Sequence, residues 1–288
     1  MTNKAIIPAS EPATDQAFNA WKNQNTENFP VGSFLIRAAL RPHVHAFYAF
    51  ARAADNISDD PLMDAAEKIR RLNQFALTLG NADCTKVPEA ALMRQSLTAT
   101  RISPRHCLDL LTAFKRDATQ LRYQNWDELL DYCRYSAAPV GRYVLALHGI
   151  GEAAWPANDA LCAALQIINH IQDCADDYRE LDRAYIPEDM LLMRGANLAD
   201  LSAVKCTEPL RLTLQDMLDR LKPLMTLAHS FPGQIRDVRL KLEVSVIVAL
   251  ADDMIACLRR RDPLAEETKL GKGAVIWAAL RGAAGAWF

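Results

Sequence analysis

The sequence QIINHIQDCADDYRE, residues 166–180, places a row of oxygen-bearing side chains on a helix that also has an apolar face. Its three isoleucines recur at helical spacing, which predicts a helix with one buried side. Steps of four from Asn169 reach Asp173 and then Asp177, so these side chains lie about one turn apart. Like charges at this spacing destabilise an isolated helix by about 0.2–0.5 kcal/mol. Either a partner compensates for the repulsion or the row is solvated.

Helical periodicity extends through most of the 288-residue chain. Glycine is scarce, at 11 residues, and alternating β-branched segments are hard to find. The segment VSVIV, residues 244–248, resembles a strand in isolation, but the surrounding period predicts helix. We therefore expect an all-α domain over residues 17–288, with about nine or more helices around a centre. Residues 1–16, rich in Ala, Pro, Ser and Thr, are expected to form a flexible N-terminal arm.

Composition excludes several classes of protein. Half of the residues are hydrophobic and the formal net charge is −2, which allows a sizeable core and argues against a nucleic-acid partner. None of the 7 cysteines lies in a CxxC pair, so we expect reduced thiols in a cytoplasmic protein. The N-terminus lacks the apolar core of a signal peptide, and no apolar run is long enough to predict a membrane-spanning helix.

A second acidic pair lies in HAFYAFARAADNISDD, residues 45–60. Asp55 and Asp59 are four residues apart, with Arg52 one turn before them and Tyr48 one turn earlier. If the two helices face each other, four carboxylates converge, and such a cluster either takes up protons or holds cations. Oxygen ligands without His or Cys favour Mg²⁺ or Mn²⁺. The two pairs beside an apolar cavity therefore predict a site for a diphosphate with an apolar tail.

Plainer interpretations remain open for the acidic residues. A single pair of Asp residues four apart on a helix is usually a solvated face. Arg52 is also placed to form an ion pair with Asp55 within its own helix. Asp252 and Asp253, inside another apolar helix, are expected at the surface or in an ion pair at the edge of the core.

Other polar residues carry weaker predictions. Asp117 and Arg122 form either a polar pair at the rim of the cavity or an exposed face. His43, His45 and His170 do not form a set of metal ligands, and we expect all three to be structural or exposed.

Four motifs in order resemble the squalene/phytoene synthase family, the head-to-head trans-isoprenyl diphosphate synthases, over residues 29–281. The resemblance implies a helical isoprenoid-synthase bundle around a central cavity. The matching positions are Tyr48, Arg52, Asp55 and Asp59 in YAFARAADNISD; Tyr132, Ala137, Val140 and Gly141 in YCRYSAAPVG; Gln166, Asn169, Asp173 and Asp177 in QIINHIQDCADD; and Arg183, Tyr185 and Pro187 in RAYIP.

Two positions depart from the family pattern. Asn56 replaces the second of two adjacent Asp residues that often open the first motif. Gln172 stands where many members have an Arg, which would supply a fixed cation for a diphosphate. Gln172 and the segment ENFPVGSFLI, residues 27–36, together resemble a bacterial branch, the hydroxysqualene synthases of hopanoid pathways. That branch works beside a separate presqualene diphosphate synthase and a separate reductase.

The resemblance implies a magnesium-dependent enzyme, with Mn²⁺ as an alternative ion, that ionises presqualene diphosphate. After diphosphate leaves, the resulting cation rearranges in an apolar cavity and is captured by water. No NADPH is expected, because capture by water needs no hydride. The enzyme would be a carbon–oxygen lyase of squalene and hopanoid biosynthesis. The implied metal ligands are Asp55, Asp59, Asn169, Asp173 and Asp177.

The motifs also imply roles for individual side chains. The four Asp residues and Tyr185 are expected to serve catalysis, and Tyr185 and Asn169 to hold the capturing water. The arginines are expected to donate to phosphate oxygens, and the aromatic rings to stabilise positive charge. The implied substrate-binding residues are Phe29, Tyr48, Arg52, Tyr132, Ala137, Val140, Gly141, Gln166, Asn169 and Arg183.

Two other functions remain open. One is a squalene or presqualene diphosphate synthase that condenses two farnesyl diphosphates, a farnesyl transferase. The other is a non-catalytic relative in respiratory-complex assembly, which need not keep both pairs of carboxylates.

Membrane contact is a further expectation, because the substrate and product are very apolar. The C-terminal segment GKGAVIWAALRGAAGAWF, residues 271–288, either lies on the inner membrane surface or packs against the body. Trp277 and Arg281 in this segment are expected to close over the cavity. Pathway enzymes are further candidate partners.

Overall fold

The computed structural model describes residues 36–271, 273, 277, 278 and 280–282. Phe29 and the arm at residues 1–16 lie outside the described residues. Within the described part the chain is an all-α domain without β-strands, as predicted. Three short 3₁₀ helices cover Glu152–Ala154, Leu198–Ser202 and Pro232–Gln234. The α-helices are α1 (Arg41–Ser58), α2 (Ala65–Gly80), α3 (Pro88–Thr100), α4 (Arg105–Asp117), α5 (Trp126–Ser136), α6 (Ala138–Leu147), α7 (Trp155–Gln172), α8 (Cys174–Leu181), α9 (Glu188–Arg194), α10 (Glu208–Arg220), α11 (Lys222–Ser230) and α12 (Val238–Arg260).

Several helices begin at residues that bind free backbone N–H groups. The side chain of Asp64 accepts from the amide of Glu67 at the start of α2, at 2.8 Å. Asp237 does the same for the first turn of α12. Helices α3 and α6 instead have proline in the first turn, where no N–H partner is required. These local signals explain why short loops separate so many helices.

The described helices pack around two hydrophobic cores. Helices α1 to α4 enclose the first core, around Phe50, Leu72 and Met93, and Tyr143 of α6 inserts into it. The second core is centred on α7, which packs against α5, α6, α11 and α12. Ile167 of α7 is fully buried there, and burial of such a side chain contributes about 1.5–3 kcal/mol.

Helix α12 confirms the prediction that the VSVIV segment is helical. It runs without a break from Val238 to Arg260, so the VSVIV stretch is helical. At the C-terminus, Arg281 pairs with Asp253 of α12 at 2.6 Å. A side chain at Gly282 would lie 2.6 Å from the carbonyl oxygen of Ser245, so the two segments approach closely. Arg281 and Gly282 therefore lie against α12, and Asp253 forms an ion pair.

The segment between α4 and α5 pairs with the segment between α8 and α9 through backbone hydrogen bonds. The amide of Ala184 donates to the carbonyl of Leu121 at 3.0 Å, and the amide of Glu188 donates to that of Tyr123 at 2.9 Å. These bonds hold the segment between α8 and α9 against the segment between α4 and α5. They fix Arg183 and Tyr185 close to the end of α4.

None of the helices within the described ranges has both the length and the apolar character that a membrane span requires.

Candidate active site

A cavity of about 370 Å³ lies between the two hydrophobic cores. Helices α1 and α4 form one side, and α5, α6, α7, α8 and the segment after α8 form the other. One end is acidic, and the remaining walls include apolar side chains. The apolar lining residues are Ala51, Leu110, Phe114, Val140 and Leu181.

The first acidic pair reaches the cavity from the last turns of α1. Asp55 accepts from the Nη1 of Arg52 at 3.0 Å, within the same helix. Asp59 binds the buried guanidinium of Arg183 at 2.5 Å. Each carboxylate of this pair therefore already has an arginine partner.

The second acidic pair lies opposite, at a break between two helices. Helix α7 ends at Gln172 and α8 begins after Asp173, so the single helix expected there is interrupted. The amide of Asp173 still donates to Asn169, and that of Asp177 to Asp173, which preserves the one-turn spacing. In the described part of the chain, neither aspartate of this pair forms an ion pair with Lys or Arg within 4.0 Å. The Nδ1 of His170 lies 4.0 Å from the Oδ2 of Asp177.

Burial and mutual repulsion raise the pKa values of these acids. Burial and the nearby charge of Asp59 raise the pKa of Asp55 to about 7. Burial and the charge of Asp173 raise that of Asp177 to about 7. Partial burial raises the pKa of Asp173, which remains exposed at the mouth. Nearby positive charges therefore do not offset the burial of these carboxylates.

The donor chemistry of the site suits a divalent cation. Carboxylate oxygens and the Asn169 amide are the ligands that Mg²⁺ prefers, and Mg²⁺ is commonly held by one or two carboxylates, waters and substrate phosphates. Among the described residues, no group of three or more His, Cys, Asp or Glu side chains is placed to enclose a metal ion. The facing pairs fit an ion that shares its coordination with a phosphate.

Asp117 is a site residue whose environment the sequence did not reveal. It is 4% exposed and accepts hydrogen bonds from Tyr132 at 2.8 Å and Tyr185 at 2.9 Å. Burial raises its pKa to about 6, despite the opposing charge of Arg183. Both alternatives that were open for Asp117 are wrong: it is not on an exposed face, and Arg122 pairs with Asp182, after α8, in its place.

Arg183 connects the two sides of the cavity. Its Nη2 donates to the carbonyl of Ser58 at 2.8 Å, and its Nε donates to the carbonyl of Asp117 at 3.1 Å. With the ion pair to Asp59, most of its donors are engaged by the protein. Its contact with a phosphate therefore stays a prediction, and its observed role is to hold Asp59.

His170 also lines the cavity, and its buried position agrees with the structural alternative of the two that were expected. Its ring stacks on Tyr185 with centroids 3.6 Å apart, and Gln166 lies at hydrogen-bond distance, 3.2 Å. Burial and the charge of Arg183 lower its pKa to about 3, so the imidazole is neutral. Its place in the cavity wall was not predicted, because that depends on helices distant in sequence.

The structure brings most of the predicted site residues to this cavity and leaves four elsewhere, one of which is Arg281, paired with Asp253 of α12. Ala137 is buried at the junction of α5 and α6 and does not line the cavity. Gly141 lies against α7, where an added Cβ would be 2.0 Å from the Oδ1 of Asn158. Trp277 is exposed and away from the cavity lining. The predicted residues at the cavity are Tyr48, Arg52, Asp55, Asp59, Tyr132, Val140, Gln166, Asn169, Asp173, Asp177, Arg183 and Tyr185.

Sequence comparison identifies relatives over most of the chain. The pattern of the squalene/phytoene synthase family matches residues 22–273. A hydroxysqualene synthase of Rhodopseudomonas palustris is 45% identical over 249 residues, covering 86% of this chain and 85% of its own. A hydroxysqualene synthase of Zymomonas mobilis is 42% identical over 269 residues, covering 93% of this chain and 90% of its own.

Comparison with solved structures finds the same architecture. A squalene synthase from Alicyclobacillus acidocaldarius has a TM-score of 0.73 at 29% identity, covering 85% of this chain and 94% of its own. A dehydrosqualene synthase solved with a ligand has a TM-score of 0.79 at 18% identity, covering 94% and 96%. At 18% identity the likeness shows the fold alone.

Proposed function

This chain belongs to the squalene/phytoene synthase family of isoprenoid-biosynthesis enzymes, and we propose that it is a hydroxysqualene synthase. The observation that carries the proposal is the convergence of two aspartate pairs, from α1 and from the α7–α8 break, on one cavity with apolar walls. The identity to relatives named hydroxysqualene synthase supports the same reaction here.

The proposed substrate is presqualene diphosphate. Its bond between carbon and the diphosphate oxygen breaks, and the electron pair leaves with diphosphate. The remaining cation rearranges, a water oxygen forms a bond to carbon, and that water loses one proton. The products are hydroxysqualene, diphosphate and a proton, so no hydride donor is consumed.

We place Mg²⁺ at the acidic end, with Asp55, Asp59, Asn169, Asp173 and Asp177 as its proposed ligands. When bound, the ion would neutralise negative charge on the leaving diphosphate. Arg52 is exposed beside Asp55, so its guanidinium is available to donate to a phosphate oxygen. Arg183 keeps Asp59 in place through the bonds described above.

The other walls govern the fate of the cation. Leu110 and Phe114 of α4 present apolar surface, which keeps bulk water from an intermediate that must rearrange before capture. The rings of Tyr132 and Tyr185 offer negative π faces to passing positive charge. These side chains explain how a site open to solvent at its acidic end still shelters a reactive carbon.

A path for the released proton starts at Tyr185. Its hydroxyl oxygen accepts the proton of the capturing water as its own proton passes to Asp117, 2.9 Å away. With a pKa of about 6, Asp117 is largely ionised at neutral pH and close enough in basicity to receive it. Asn169 is the second candidate to hold the water, because its side-chain oxygen is an acceptor.

The proposal is tested by incubating the purified protein with presqualene diphosphate and Mg²⁺ in H₂¹⁸O without NADPH. Mass spectrometry should find hydroxysqualene with the heavy label in its alcohol. An unlabelled alcohol would exclude capture by water. Boiled protein, and reactions with chelator in place of Mg²⁺, control for spontaneous hydrolysis.

A second candidate is a squalene or presqualene diphosphate synthase acting on two farnesyl diphosphates. It is favoured by the similar solved structure that is named a squalene synthase. Farnesyl diphosphate, with and without NADPH, is therefore run beside presqualene diphosphate. Squalene that forms only with NADPH would assign the chain to the reductive reaction. A protein inert towards both substrates would favour the non-catalytic relative, against which the two facing acidic pairs argue.

We also propose peripheral contact with the inner membrane surface, where an apolar product can be released. Trp277 and Leu280 near the C-terminus support this, because both side chains are more than half exposed. Sedimentation with phospholipid vesicles tests the contact. The double variant Trp277→Ser and Leu280→Ser should remain in the supernatant, and a variant that still sediments would contradict it.

A further inference from the structure

Gln172, the residue that replaces an arginine in the family pattern, points away from the cavity. It is 8% exposed at the end of α7 and does not line the cavity. Its Nε2 donates to the carbonyl of Thr268 at 3.2 Å and lies 3.4 Å from that residue's Oγ1. These contacts connect Thr268, which is 96 positions further along the chain, to the motif that contains Asp173 and Asp177.

Hydrogen bonds from several side chains hold Thr268 in place in the segment after α12. It is 6% exposed, and the thiol of Cys257 donates to its carbonyl at 3.5 Å. The guanidinium of Arg261 also binds the carbonyl of Glu267. Three side chains from two helices and a loop therefore anchor residues 267 and 268.

The anchor brings a lysine close to the acidic mouth of the cavity. Gln172 directly precedes Asp173, and Thr268 directly precedes Lys269, so the bond between Gln172 and Thr268 keeps the backbone segments that carry Asp173 and Lys269 close together. Lys269 is exposed. Burial raises the pKa of Asp173, and the positive charge of Lys269 opposes that rise as its next largest influence. The ammonium group is thus near the aspartate pair that has no arginine partner among the described residues.

We propose that Lys269 binds the diphosphate of the substrate and that Gln172 is the positioning residue that holds it there. The inference rests on the proposed function, because it assigns a contact to that same substrate. An ammonium group on a flexible four-carbon stem carries three donors and binds phosphate as a point charge. Many relatives have an arginine within the motif, and in this chain Lys269 supplies the positive charge from a separate segment.

The test is calorimetric titration of inorganic diphosphate into the full-length protein with Mg²⁺. Lys269→Gln should weaken binding by about fivefold or more, and the difference from wild type should shrink in high salt. Lys269→Arg should restore most of the affinity. The matched control is Lys205→Gln, at an exposed lysine that is not among the charges acting on Asp173, and it should bind as wild type does.

Gln172→Met removes the donor and keeps the length and burial of the side chain. It should weaken diphosphate binding as much as Lys269→Gln does, and the double variant should be no weaker than either single variant. Loss of helical circular dichroism in Gln172→Met would make Thr268→Val the substitute, since it keeps the fold and removes one of the two acceptors. Additive losses would overturn the positioning role.

Equal diphosphate affinity of Lys269→Gln, Lys205→Gln and wild type would overturn the proposal, as would the absence of measurable binding to wild type. The same preparations are assayed with presqualene diphosphate. Turnover without dependence of binding on Lys269 refutes this inference and leaves the proposed function intact. Binding that depends on Lys269 without turnover refutes the assigned substrate and leaves Lys269 as a diphosphate ligand.

Discussion

The hydroxyl of Tyr185 donates a 2.9 Å hydrogen bond to Asp117, and Tyr132 donates to the other oxygen of the same carboxylate. One buried acid therefore orients two phenol rings on the same wall of the cavity. Because Asp117 ends α4 and Tyr185 follows α8, this contact joins segments that pack on different cores.

Removing this hydrogen bond should slow the reaction. We expect Tyr185→Phe to lower kcat for hydroxysqualene formation by about 100-fold, because the proton of the capturing water loses its acceptor. The control is Tyr178→Phe, at a tyrosine of α8 outside the cavity lining. Gas chromatography of extracted product measures both rates, and equal rates would refute the proton path.

Asp117 should also make stability depend on pH. Its folded pKa of about 6 exceeds the ordinary value of 3.8, so the folded protein binds a proton more tightly than the unfolded chain. The resulting stabilisation is complete below about pH 4 and is lost as pH rises to about 6, at most about 3 kcal/mol.

Asp117→Asn removes this dependence. Urea unfolding without divalent ions, at pH 4.5 and pH 6.5, should show the variant gaining stability relative to wild type at the higher pH. The other acids titrate in both proteins, and the charge of Asp117 is only a minor cause of the raised pKa values of Asp55 and Asp177, so most of their contribution cancels in the comparison. An unchanged difference between the two pH values would show that the pKa of Asp117 is not raised.

The acidic pairs should be essential for turnover and dispensable for folding. Asp55→Ala and Asp173→Ala are each expected to lower kcat by at least about 100-fold, because charge on the leaving diphosphate is no longer balanced. Without metal, neither variant should be less stable, since repulsion between like charges is relieved.

Asp176→Ala is the matched control for this prediction. Asp176 lies between the two aspartates of the second pair, but it is exposed and pairs with Arg179 at 2.9 Å. Its replacement should leave kcat unchanged. Activity assays and thermal unfolding of all three variants distinguish the cases, and an active Asp55→Ala or Asp173→Ala enzyme would remove that residue from the metal site.

Gly141→Ala should destabilise the protein through packing. The new methyl group would meet the Oδ1 of Asn158 at 2.0 Å and the Sγ of Cys162 at 2.8 Å, so α6 must move away from α7. Such overpacking costs about 1–3 kcal/mol. Gly80→Ala, where nothing lies within 4 Å of the added atom, should be neutral or stabilising. Urea unfolding measures the free energy of unfolding of both variants and of wild type. A Gly141→Ala variant as stable as wild type would show that α6 moves away from α7 without cost.

Local periodicity was sufficient to predict the helices and the position of the acidic residues on them. The four-residue spacing of Asp55 and Asp59 fixes a shared face within one helix, whatever the rest of the chain does. The same spacing persists across the break at Asp173 because the backbone bonds from one turn to the next are retained. The metal-binding roles of these residues stay predictions.

Such patterns do not predict contacts between segments that are distant in the sequence. Asp117 follows Lys115 and Arg116 in a sequence typical of an exposed helix end, yet the segment after α8 buries it. Gly141 was expected to line the cavity, and only the approach of α7 shows that it permits close packing. Burial of this kind depends on which helices become neighbours, and spacing along one helix carries no information about that.

The boundary between the two hydrophobic cores has a consequence for motion. Separately packed units can open along their boundary at a lower free energy than either needs to unfold. Helices α1 and α8 line the cavity at that boundary, so one opening event removes packing from both, and their amide hydrogens then exchange with deuterium more readily as the helices fray. A ligand that touches both sides holds the units together. Bound diphosphate therefore slows deuterium uptake in α1 and α8 together, although the two helices are more than a hundred residues apart in the chain.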